Sequence, residues 1–279
     1  MIVKSNQKMA YLFFGVLAFA FAEPIDAQIL VANWDFTASA ADTTGNEHNG
    51  ILSSGATISS QGLDLDQTDD GEVQVASDMS LEPSSDGNEW VLELRGVQSD
   101  MADDGSFGAV YSSRDSDGLG TIIYRGNSGN WEFWTGNGEG GWNILNTGIF
   151  VDTSLTYNLT ARIQNTLMTF TVDDGTTVQS FQLETSVFAP QSGSRPISFG
   201  NGGNSQGEFF FDGRIAGASI ITSRLLGDVN IDGVVDFFDI APFIAVLSSQ
   251  GFQTEADIDQ SGDVNFFDIA PFIDILSSQ

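Results

Sequence analysis

The residues of this sequence best suited to chemistry stand in two acidic loops near its C-terminus. In the first, Asp228, Asn230, Asp232, Asp236 and Asp239 occupy positions 1, 3, 5, 9 and 12 of a twelve-residue stretch, with Gly233 at position 6 and Val234 at position 7. The second repeats the scheme with Asp257, Asp259, Ser261, Asn265 and Asp268 around Gly262 and Asp263. Side-chain oxygens at alternate positions, a glycine for a sharp bend and a main-chain carbonyl at the seventh position supply the six to eight oxygens that calcium takes at about 2.3–2.6 Å. Two calcium ions, one per loop, are the expected cofactors. Without them, four acidic side chains in each loop would face one another with no cation, so the tail is expected to fold only with the metal.

The loops belong to a duplication. Aligning Asp228–Gln250 with Asp257–Gln279 at an offset of 29 gives 15 identities in 23 positions, more than chance produces. After each loop, Phe237–Leu247 and Phe266–Leu276 carry apolar residues at helical spacing, and Pro242 and Pro271 are tolerable only in the first turn of those helices. The pattern is loop then helix, twice. With the run Gly-Asp-Val-Asn-x-Asp-Gly-x-Val-Asp-x-x-Asp at Gly227–Asp239, it resembles the type I dockerin over residues 227–279. That resemblance implies a small α-helical calcium-binding domain that docks onto a cohesin through loop positions 10 and 11, where dockerins usually carry small hydroxylated or charged residues. Here those positions are Phe237, Phe238, Phe266 and Phe267. The first Phe of each pair reads as core filling; exposure of even one per pair would make an apolar patch suited to a surface protein other than a cohesin. The repeated Phe-Phe-Asp-Ile-Ala-Pro-Phe-Ile also resembles the dockerin-like tails of exported marine planctomycete proteins, which implies assembly or cell-surface attachment.

Upstream, residues 29–222 are rich in Gly, Ser, Thr and Asn and fall into short alternating runs such as Trp90–Leu94, Thr121–Tyr124 and Thr169–Val172. Asp-Gly, Asn-Gly and Gly-Gly turns between them describe antiparallel strands, about a dozen of them, in a mainly β two-sheet sandwich. Leu167–Val172 and Thr177–Leu183 form one expected hairpin; Trp131–Trp134 and Trp142–Leu145 form another across the turn 136–141. The succession Val31–Phe36, Ser112–Asp115, Asn130–Phe133 and Phe209–Ala216 resembles the laminin-G-like, concanavalin A-type jelly roll. That family implies carbohydrate or protein binding and, in some members, glycoside hydrolysis. Hydrolysis needs two carboxylates about 5–10 Å apart. The Glu-x-Asp-x-x-Glu strand of laminarinase-like enzymes is missing, Glu93 and Glu132 are isolated, and Glu208 and Asp212 are separated by three Phe residues. A lone His48 and no cysteine give no activated nucleophile. No catalytic residue is assigned, and a polysaccharide-degrading hydrolase is the alternative to a binding domain. If Trp131 and Phe133 point inward, Glu132 and Trp134 point outward, so Trp134, Trp142 and Arg95 are the candidate ligand surface for a polysaccharide or glycoprotein. Asp115 and Asp117 are candidates for a further calcium.

The whole chain sets the context. Thirty-eight acidic and nine basic residues give a formal charge of −29, which repels phosphate backbones and excludes nucleic acid as a partner. Lys4 and Lys8 precede the apolar run Ala10–Phe21 and a small-residue stretch with cleavage points after Ala22 or Ala27, the order of a secretory signal spanning residues 1–27. The run is short for a membrane span, and no later segment qualifies. An exported chain without cysteine fits the envelope or the surroundings of a bacterium.

Overall fold

The computed structural model describes residues 26–83, 89–102, 105–185, 187–203, 209–230, 234–249, 251–259 and 261–277. Residues 1–25, which hold most of the expected secretory signal at 1–27, lie outside them together with Glu208, Asp232 and Gly233.

Among the described residues, sixteen strands, all paired antiparallel, make two sheets. Sheet one contains β1 (Asp26–Asp35), β3 (Ala56–Ser59), β4 (Gly62–Leu65), β6 (Glu89–Ser99), β11 (Tyr157–Gln164), β12 (Leu167–Asp173), β13 (Val178–Glu184), β15 (Gly213–Ile215) and β16 (Gly217–Leu225). Its order is β13-β12-β11-β6-β15-β4-β3, and β16 pairs both β6 and β1. Sheet two contains β2 (Gly50–Leu52), β5 (Val73–Val75), β7 (Gly108–Ser112), β8 (Thr121–Arg125), β9 (Asn130–Gly136), β10 (Trp142–Phe150) and β14 (Ile197–Phe199), in the order β10-β9-β8-β7-β14-β5-β2. Both expected hairpins form: β12 pairs β13 from Leu167↔Glu184 to Asp173↔Val178, and β9 pairs β10 from Gly136↔Trp142 onward.

Alternation explains the core. Trp90, Leu92 and Leu94 of β6, Leu159, Ala161 and Ile163 of β11, and Trp131 and Phe133 of β9 all point between the sheets and are buried in one continuous apolar cluster. Phe199 of β14 is its centre of aromatic packing, edge-on to Trp34, Phe36 and Tyr111 at 5.1–5.6 Å, an arrangement that suits the ring quadrupoles. The strict period of two breaks in β6. Between Leu94 and Val97 the register against β11 shifts, and Gly96 adopts φ 61° with no room for a Cβ beside Ala216. This bulge keeps Val97 on the core side while the strand turns toward β15.

Strand β16 runs to Leu225, and the next residue, Leu226, is already buried in a second, smaller cluster with Val229, Phe243, Ala256, Ile258 and Phe272. Two short helices supply it, α1 (Ile240–Ser249) and α2 (Ile269–Ser277), with Pro242 and Pro271 in their first turns. Phe243 and Phe272, equivalent residues of the two copies, stack at 4.3 Å with 17° between their planes. Among the described residues no helix is long and apolar enough to cross a membrane.

Candidate functional site

In the second loop, carboxylate oxygens of Asp257, Asp259 and Asp268 all lie within 4.8 Å of one another. Two ligands on opposite sides of one calcium ion stand roughly 5 Å apart, so this spacing suits a shared cation. Asp257 and Asp268 are buried, Asp268 completely. Backbone amides fix them. Ser261 N and Gly262 N donate to the two oxygens of Asp257 at 2.9 and 2.8 Å, and Asp259 N and Asn265 N donate to those of Asp268 at 3.0 and 2.8 Å. Each oxygen keeps a further lone pair for a ligand. Gly262 sits at φ 89° in open space, so here glycine serves the backbone bend rather than close packing. The Asp263 carbonyl accepts from Asn265 Nδ2 at 3.2 Å and has Ser261 Oγ at the same distance, which brings positions 5, 7 and 9 together. The Ser261 hydroxyl, through its hydrogen bond, holds the Asp259 carboxyl below the usual carboxylate range. Buried, adjacent carboxylates without a cation are costly, and residues 225–279 contain no Lys or Arg. The donor set therefore fits calcium.

The first loop repeats this frame. Asn230 N and Asp236 N donate to the two oxygens of the fully buried Asp239 at 2.9 and 2.8 Å, the same positions and nearly the same distances as in the second copy. Asp228 is buried, Val234 is exposed, and Asp232 falls outside the described residues. Asp236 also caps a 3-10 turn at Phe237–Asp239 by accepting from Phe238 N, as Asn265 does from Phe267 N. The turn decides the fate of the phenylalanines. Phe237, Phe238, Phe266 and Phe267 are 75–81% exposed, so the expected core filling by Phe237 and Phe266 is overturned. The α-helices start only at Ile240 and Ile269, and the stacked Phe243 and Phe272 already fill the centre.

On the sandwich, Trp134 and Trp142 lie on the outer face of sheet two, as alternation requires once Trp131 and Phe133 point inward. They are half-buried in an aromatic cluster with Phe107, Phe209 and the buried Tyr124. Trp134 Nε1 donates to Glu132 Oε2 at 2.8 Å and Asn146 Nδ2 to Glu132 Oε1 at 2.6 Å, while burial pushes the Glu132 carboxyl upward. Arg95 does not join them. It projects from the outer face of sheet one, where it donates to Ser219 Oγ at 2.8 Å and Asn33 Oδ1 at 2.9 Å. The cation against the tryptophans is instead Arg114, 5.4 Å from the ring centre of Trp142, which sequence reasoning missed because Arg114 follows β7, three strands away in the sheet. Asp115 and Asp117 do not gather around a cation site: Asp115 accepts from Ser192 and Ser194, and Asp117 pairs with Arg114. Glu93 accepts from Ser219 on sheet one, so it and Glu132 are separated by the core.

A cavity of about 350 Å³ opens where β4 meets β15, and Asp64, Asp66, Asp69, Asp100 and Asp212 line it. Burial, together with the charges of Asp100 and Asp66, pushes Asp212 up, whereas the side-chain and backbone hydrogen bonds of Thr68 hold Asp66 down. Carboxylates whose environments separate their acidities can act as a proton donor and a base.

No family model and no curated protein matches this chain. Among solved structures, it is similar to the CBM40 of the Ruminococcus gnavus IT-sialidase bound to alpha2,3 sialyllactose, at 12% identity and TM-score 0.37 over 48% of this chain and 74% of that one. The botulinum neurotoxin serotype D binding domain is similar at 12% identity and TM-score 0.49, over 73% of this chain and 50% of that one. The serotype G binding domain gives 8% identity and TM-score 0.48 over the same shares. The matched region thus spans half the length of those toxin domains.

Proposed function

We propose that this is an exported calcium-binding protein whose β-sandwich binds a glycan or a protein and whose dockerin-like tail attaches it to a partner. The observation that carries the reading is the convergence of Asp257, Asp259 and Asp268 within 4.8 Å, in a hydrogen-bonded frame that the first copy repeats around Asp239. In this reading Asp228, Asn230, Asp232, Val234, Asp236 and Asp239 hold one ion, and Asp257, Asp259, Ser261, Asp263, Asn265 and Asp268 the other. Calcium supplies the positive charge that lets each set of carboxylates pack together. The four exposed phenylalanines favour a surface partner that accepts aromatic anchors over a cohesin that reads small hydroxylated residues. Export rests on the leader pattern, and the envelope or medium of a bacterium is the proposed destination.

Calcium titration of the mature protein by calorimetry tests this. Two binding events are expected, with one lost in Asp228→Ala and the other in Asp257→Ala. No heat of binding at millimolar calcium sinks the reading.

A second reading rests on the acidic cavity. Five carboxylates line that one cavity, and Asp212, whose carboxyl burial pushes up, would be the proton donor of a glycoside hydrolase there. Release of reducing ends from a polysaccharide, abolished in Asp212→Asn with unchanged thermal stability, is the result expected of it; no release from any polysaccharide offered rejects it.

A further inference from the structure

Beside the aromatic cluster on sheet two lies a polar hollow of about 20 Å³, room for about one water, and the two share Arg114. Strands β7, β14 and β5 form its floor, where Val73, Val75, Ile197 and Phe199 turn into the core and their neighbours turn outward. Glu72, Gln74, Arg114, Arg195, Ser198 and Asn201 line it. The lining is held in place by its own hydrogen bonds. Ser198 Oγ donates to Glu72 Oε2 at 2.8 Å, Gln74 Nε2 to Glu72 Oε1 at 2.7 Å, and Arg195 to the Gly203 carbonyl at 3.1 Å. At the aromatic end the Arg114 guanidinium lies 5.4 Å from the centre of Trp142 and 5.9 Å from that of Phe209, and its Nε is buried without a hydrogen-bond partner.

Planar carboxylate, amide and guanidinium groups are forks that meet adjacent hydroxyls two at a time. A half-buried indole alongside offers its face to the C–H side of a saturated ring. Together these suit a polyhydroxylated ligand better than an apolar one. The charges narrow the class: among the lining residues Arg114 and Arg195 are basic and Glu72 acidic, and Arg114 is already paired with Asp117 beside the lining, which leaves Arg195 to set against Glu72. The surrounding formal charge of −29 opposes the approach of an anion. A hollow of about 20 Å³ is too small to enclose a sugar ring, so a ligand would lie across the face of the sheet rather than inside a pocket.

We propose that the outer face of sheet two, from Glu72 and Gln74 through Arg195 to Arg114 and Trp142, binds an uncharged glycan. This rests on the reading of the sandwich as a binding domain and adds the place and the ligand class. The full chain, kept in calcium, is titrated by calorimetry with neutral gluco-, xylo-, manno- and galacto-oligosaccharides, and with sialyllactose and oligogalacturonate as anionic comparators. Saturable binding of at least one neutral oligosaccharide is expected, weakened roughly tenfold or more by Trp142→Ala and by Arg195→Ala. Gln74→Ala, at an exposed position, gives a third variant whose folding is not at issue. Arg162→Ala, on sheet one, is expected to leave binding unchanged. Preference for the anionic sugars, or neutral binding that all three of these sheet-two variants retain, overturns the proposal while the sandwich keeps its general role as a binding domain. No saturation by any sugar up to about 10 mM, a very weak affinity, overturns the proposal and the glycan reading of the sandwich together.

Discussion

In Asp268→Ala, the second calcium site is expected to be lost and α2 to melt, even with calcium in excess. Asp268 serves the loop twice. Its oxygens belong to the carboxylate cluster, and they also accept from Asp259 N and Asn265 N, which holds positions 3 and 9 against position 12. The residue is completely buried, so alanine would leave two main-chain donors without acceptors at a cost of about 1–3 kcal/mol each. Added to the missing ligand, that loss corresponds to about two orders of magnitude or more in affinity. The tail has little to set against it. Among the described residues its cluster contains six buried apolar side chains with seven partly buried ones packed against them, a small core for a domain of about fifty residues to stand on alone. The wild-type tail stripped with EDTA is therefore expected to lose its helical circular dichroism and regain it on adding calcium, whereas Asp268→Ala regains only the part contributed by α1. A helical signal that neither chelation nor this substitution moves would show that the acidic loops fold without a cation.

The tail was the most legible part of the chain because it is written twice. Positions 1 to 12 of each loop and the proline-bearing first turns follow from the 29-residue offset, and the structure places Asp239 and Asp268 in matching frames. What the repeat did not disclose was the 3-10 geometry of Phe237–Asp239, which turns Phe237 away from the core that helical spacing had assigned to it. In the sandwich, alternation set Glu132 and Trp134 on the face opposite Trp131 and Phe133, and the structure turns Trp131 and Phe133 inward and leaves Trp134 outside. Three-residue strands such as β2, β5, β14 and β15 carry too few side chains to show a period, so the described residues hold sixteen strands where about a dozen were legible. Sheet membership is also invisible locally. Arg95 and Trp134 both sit on strands and both point outward, yet they belong to different sheets. The polar hollow assembles Glu72, Arg114 and Arg195 from distant stretches of chain, and nothing near any of the three announces the other two.

The last expectation concerns Glu82, which is equally silent in the sequence and fully enclosed in the structure. Burial is the main cause that pushes its carboxyl up to about 8, with the charge of Asp115 adding to it, while donors from Ser113 and Gln191 pull the other way. Ser113 Oγ lies 3.0 Å and Gln191 Nε2 3.3 Å from its oxygens. The folded protein thus holds this proton more tightly than the unfolded chain, whose carboxyl has the ordinary value of about 4.5. Below that value both states are protonated and the full contribution of Glu82 to stability is present. Between about 4.5 and about 8 only the folded state is protonated, so unfolding releases a proton and stability falls by about 1.4 kcal/mol per pH unit. Above the upper limit the folded protein carries a buried carboxylate. Glu82→Gln removes the titration and keeps the shape, and the buried Gln191 Oε1, which has no hydrogen-bond partner, can accept from the new amide. Denaturant unfolding measured from pH 5 to pH 8.5 should therefore show a wild type that loses several kcal/mol across the range and a variant that loses little from this position. The curves should lie close together at the acid end, with the variant the more stable at the alkaline end. Parallel curves would mean that Glu82 titrates in the folded protein as it does in the unfolded chain, and that the three segments meeting at Glu82, Ser113 and Gln191 open enough to admit water.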